Sequence, residues 1–69
     1  MNIERLVEMV NDIANFFHSE PDHGAAVAGI ATHLRRYWEP RMRKQLHEYV
    51  AKGGTDLHEF VLEAEKQLK

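Results

Sequence analysis

Apolar residues recur along this chain at steps of three and four, a spacing that predicts helices. Ile3, Leu6, Val7, Val10, Ile13, Ala14 and Phe17 form one such stripe, and Asn2 ahead of them is a good N-cap. A first helix is therefore expected over about 3–18. Met9 and Phe16 lie off the stripe, on a shoulder that widens the apolar face. Ser19-Glu20-Pro21-Asp22 closes this helix, because Pro21 disfavours helical geometry in Glu20 and Asp22 can cap the next helix. The second stripe is Val27, Ile30, Ala31, Leu34 and Trp38, giving a helix over about 23–38. Its far side carries Gly29, Thr32 and Arg36. Small residues facing outward there would admit another backbone; the plainer reading of Gly29 is a tolerated mid-helix glycine costing about 1 kcal/mol against alanine.

Glu39-Pro40 interrupts the pattern, and Pro40 suits the first position of a third helix, where its missing N–H is no loss. Met42, Leu46, Tyr49 and Val50 carry that helix over about 40–52, and Gly53-Gly54 supply the positive φ that ends it. Asp56 and Glu59 have capping-box spacing and open a fourth helix over about 57–68, striped by Leu57, Phe60, Val61, Ala64 and Leu68. No segment alternates as a strand does. The expectation is an all-α fold, a small bundle of four short helices in one domain over residues 1–69.

Sixty-nine residues bury only about 60% of the unfolded surface, so such chains commonly need a disulfide, a metal or a partner. The chain has no cysteine, which excludes disulfides and thiolate zinc sites. A partner becomes the leading aid. No window approaches the roughly 20 apolar residues of a membrane span, and the N-terminus has no signal-peptide pattern. The chain reads as cytoplasmic, without a membrane partner.

Charge changes the picture more than composition does. The net charge is −2, yet His33 to Lys44 holds five of the nine Lys and Arg residues against a single carboxylate. The rest is strongly acidic. Arg35 and Arg36 fall on the last turn of the second helix, where cations favour the dipole, whereas Arg41, Arg43 and Lys44 fall at the start of the third, where they oppose it. Residues placed against local stability point to a task elsewhere.

Catalysis needs groups that converge, and the sequence offers five histidines without metal-ligand spacing, no cysteine and no glycine-rich phosphate loop. His18, His23, His33, His47 and His58 read as surface groups or caps. No catalytic, cofactor-binding or metal-ligating residue is assigned. The basic corner itself has three readings. It can be a solvated face whose ion pairs contribute little. It can be a regulatory or nucleic-acid-binding module over residues 35–44, gripping phosphates and stacking bases on Tyr37 and Trp38, against which the acidic remainder argues. Or its arginines pair with a partner's carboxylates while the aromatics supply buried area, as interface hot spots do. For Trp38 the stripe position also suits a core anchor.

At this corner the wording resembles a known family. His33-Leu34-Arg35-Arg36-Tyr37-Trp38-Glu39-Pro40-Arg41-Met42-Arg43 is similar to the HLRRFWDPRMR signature of the delta subunit of NAD-dependent, molybdenum-containing formate dehydrogenase. Leu6-Val7-Glu8-Met9-Val10-Asn11-Asp12-Ile13-Ala14 looks like the family's opening LVxMANQIA, Pro21-Asp22 with Ala28-Gly29-Ile30-Ala31 like the start of its second helix, and Gly53-Gly54 and Leu57 like its glycine turn. Tyr37 for Phe and Glu39 for Asp keep the chemistry of the signature; the segment after Gly54 is more polar than the family's. The resemblance implies a non-catalytic accessory subunit, binding no cofactor itself, of a complex that uses molybdenum pterin, iron–sulfur clusters, FMN and NAD. Its expected partner is the large catalytic subunit, and its expected role lies in assembly, stability or molybdenum cofactor insertion. On this reading Arg35, Arg36, Tyr37, Trp38, Pro40, Arg41 and Arg43 are the partner-binding residues. Self-association through the apolar shoulder stays open beside it.

Overall fold

The computed structural model describes residues 2–68, one residue short at each end of the domain expected from sequence. It contains four helices, α1 (Ile3–Phe17), α2 (His23–Tyr37), α3 (Pro40–Ala51) and α4 (Glu59–Gln67), with no strand among the described residues. The all-helical expectation holds.

Local chemistry sets each boundary. Asn2 caps α1 by accepting the N–H groups of Glu4 and Arg5 at 2.8 and 3.3 Å. Asp22 caps α2 by accepting from the Ala25 N–H. Glu39 precedes α3 in extended geometry without a side-chain bond, and Pro40 occupies the first turn. Gly53 and Gly54 end α3 with φ of 121° and 62°, and their N–H groups return to the carbonyls of Val50 and Tyr49. A side chain at either position would meet the steric penalty of the left-handed region.

The fourth helix departs from expectation at its start. Asp56 does not cap it; His58 does, accepting the Phe60 N–H through Nδ1 at 3.0 Å. Asp56 instead turns the chain with φ of 67°, a conformation that Asp tolerates better than most residues. Asn11 of α1 explains why. Its side-chain amide donates to the Asp56 carbonyl at 2.8 Å and its Oδ1 accepts the His58 N–H at 2.9 Å. With Asn11 holding residues 56 and 58, α4 begins at Glu59, two residues later than the periodicity indicates.

The stripes converge as expected. Leu6, Val10, Ala14, Val27, Ile30, Ala31, Leu34, Trp38, Leu46, Phe60, Val61 and Ala64 are buried in one cluster. The packing is most extensive between α2 and α4, next between α1 and α2; α3 lies on α1 and α4 and hardly touches α2 beyond their corner. Helix α3 contributes only Leu46 as a buried residue. Gly29 does not face open space. An added Cβ there would lie 2.6 Å from the Phe17 ring, so the notch on the outer side of α2 is filled by this chain's own α1.

Candidate functional site

The basic corner divides among three surroundings. Trp38 ends α2 as a buried residue with 6% of its surface exposed; it belongs to the core and is withdrawn from any surface. Beside it Arg35 turns back, donating from Nη2 to the Gln67 carbonyl at 3.0 Å. That bond satisfies a carbonyl at the C-terminus of α4 and places a cation at the negative end of its dipole. Arg35 thus has a structural partner.

Arg43 is half-buried and Lys44 exposed on the side of α3 next to α4. With His47, Glu65 and Leu68 they line a depression of about 530 Å³. Glu65 is buried, 3% exposed, and its Oε1 lies 2.6 Å from Nδ1 of His47. A carboxylate out of water needs a donor and a compensating charge nearby. The sequence marks none of this, since Glu65 reads as one more acid on a polar helix face. Of the three cations that oppose the α3 dipole, Arg43 and Lys44 line this depression together with Glu65, and Arg41 does not. Arg43 Nε is itself buried and makes no hydrogen bond among the described residues.

Arg36, Tyr37, Pro40 and Arg41 remain on the outside, and Tyr37 keeps 70% of its surface exposed. Of the seven residues expected to bind a partner, these four are exposed, Arg35 bonds to the end of α4, Arg43 is half-buried beside Glu65, and Trp38 is internal. An open aromatic pair at residues 37 and 38, as base stacking would use, does not exist. The exposed aromatic nearest in character to Tyr37 is on another element: Phe16 of α1 is 76% exposed.

The histidines are distributed as packing and capping groups. His18, His23 and His58 surround the Phe60 ring with centroid distances of 5.0, 4.5 and 4.9 Å. His23 Nε2 also meets the Glu63 carboxylate at 2.9 Å. His33 leans on Tyr37 with centroids 4.9 Å apart. No group of three or more acidic or imidazole side chains among the described residues is arranged to hold a metal ion.

Compared with known proteins, the sequence pattern of the family described as NADH-dependent formate dehydrogenase delta subunit, FdsD, matches residues 5–64. The chain belongs to the FdsD family. The match includes α1, α2 and α3 apart from the first two residues of α1, so the signature at the corner and the Asn11 tie both lie within FdsD sequence. No curated protein and no solved structure is similar enough to add a relative. Among the described residues of this FdsD family member, no helix is long and apolar enough to cross a membrane.

Proposed function

We propose that the chain is a non-catalytic accessory subunit that binds the large catalytic subunit of formate dehydrogenase and supports its assembly, stability or molybdenum cofactor insertion. The reading rests on family membership over residues 5–64. The geometry is compatible with a docking role: Arg36, Tyr37, Pro40 and Arg41 stand exposed at the α2–α3 corner beside the buried Trp38. Arginines with carboxylate partners form strong, directional contacts, and a neighbouring aromatic adds buried area. The redox chemistry is left to the other subunits of the complex, with the chain's own residues acting through contact.

Affinity purification of the tagged chain from its native cell extract tests the reading, with mass spectrometry of the bound proteins and assay of the eluate for formate-dependent NAD reduction. Recovery of the large catalytic subunit with activity is the expected result. Repeating the purification from cells grown without molybdate separates binding before cofactor insertion from binding after it. Recovery of the chain alone, or with nucleic acid, would overturn the assignment.

A further inference from the structure

The depression between α3 and α4 gathers cations that the docking reading leaves unused. His47 is four positions from Arg43 and three from Lys44 on α3, spacings that bring side chains to one face of a helix. All three line the depression of about 530 Å³, with Glu65 and Leu68 opposite. Neither Arg43 nor Lys44 has a hydrogen bond or an ion pair among the described residues. Only Nε of the Arg43 guanidinium is shut away from solvent, so its terminal nitrogens, the end that binds oxyanions in a fork, stay open. Glu65, the single acid of the lining, is buried and already bonded to Nδ1 of His47 at 2.6 Å. That bond fixes the ring and leaves its Nε2 without a partner among the described residues. At the end of α4, Arg35 donates to the Gln67 carbonyl and sets a further cation against the negative end of that helix.

Charge and donor count together select the ligand. Two permanent cations and an imidazole surround one acid whose charge is engaged inside the molecule, so the depression favours an anion. A carboxylate carries a single charge and would leave one of the two cations unmatched. A phosphoryl group brings up to two negative charges and three terminal oxygens, which suit the Arg43 fork, the Lys44 ammonium and His47 Nε2. It also exchanges a proton of its own near neutral pH, so it can meet Nε2 as acceptor or as donor. We propose that the depression between α3 and α4 binds a phosphoryl group, as inorganic phosphate or on a small phosphate monoester, with Arg43 and Lys44 as the charged contacts and His47, oriented by Glu65, as the third. Neither Arg36 nor Arg41 lines the depression, so this site is separate from the exposed corner and does not depend on the accessory-subunit reading.

The decisive experiment titrates the isotope-labelled full chain with inorganic phosphate, with glycerol phosphate and with acetate at constant ionic strength, following the NMR resonances of Arg43, Lys44 and His47. Saturable shifts centred on these residues with one or both phosphates are expected, together with binding weakened about tenfold or more in Arg43→Gln with Lys44→Gln. Lys52→Gln with Lys66→Gln removes the same charge from exposed positions outside the depression and should bind as the wild type does. Circular dichroism melts verify that each variant is folded; Lys44→Gln alone, at an exposed position, repeats the comparison if the half-buried Arg43 proves necessary for folding. Tighter binding of glycerol phosphate would identify a monoester as the ligand, and tighter binding of inorganic phosphate the free ion. No saturation by either phosphate, an equal response to acetate, or an equal loss in the Lys52 and Lys66 pair would overturn the site.

Discussion

Asn11 illustrates how one side chain decides a boundary that periodicity leaves open. It sits on α1, yet it fixes where α4 starts by holding the Asp56 carbonyl and the His58 N–H. Replacing it with alanine removes both bonds from groups that water can reach and should lower unfolding free energy by about 1 kcal/mol, read from urea denaturation. In the sequence Asn11 is one polar residue beside a stripe, and its two partners lie more than forty positions away, so nothing local announces them. Gly29 offers a second test. Alanine there gains about 1 kcal/mol of helix propensity but collides with the Phe17 ring. Gly29→Ala should therefore be clearly more favourable in a Phe17→Ala background than in the wild type, and a double-mutant cycle measured by denaturation isolates that coupling.

Among the elements, α1 and α2 were readable to within a residue because cap, stripe and terminator agree for each of them. The start of α4 was not, because Asp56 and Glu59 imitate a capping box while a tie from α1 assigns the cap to His58. Helix α3 was placed to within a residue by Pro40 and the glycine pair, but its loose attachment is visible only in three dimensions. It buries Leu46 alone, and its Arg43 and Lys44 border an open depression beside the buried Glu65. Stability within a fold follows buried apolar contact. Hydrogen exchange should accordingly show the α3 amides exchanging faster than those in the middle of α2, which buries five residues; equal protection across the two would contradict this ranking.

At the scale of the whole molecule the contrast between a basic corner and an acidic body was plain from sequence, but its division was not. Arg35 and Arg43 have the same residue type and the same neighbourhood in the chain as Arg36 and Arg41. The position of α4 separates them: Arg35 bonds to the Gln67 carbonyl and Arg43 lines the depression at Glu65, while Arg36 and Arg41 are exposed. Simultaneous charge reversal of Arg36 and Arg41 should abolish co-purification with the complex without unfolding the isolated chain, because neither residue lies in the core. Circular dichroism and a pull-down on the same preparation check both halves of that statement. If the variant still assembles, the exposed arginines carry no docking role.

The burial of Trp38 gives the molecule an optical reporter of its own. It is the chain's single tryptophan and lies 6% exposed where α2 meets α3, so ultraviolet emission selected for indole arises from one known place. A red shift would mean that the corner has opened to water, whatever the rest of the chain is doing. Association that leaves the corner closed would be recognised by the opposite behaviour, an emission maximum that stays where it is.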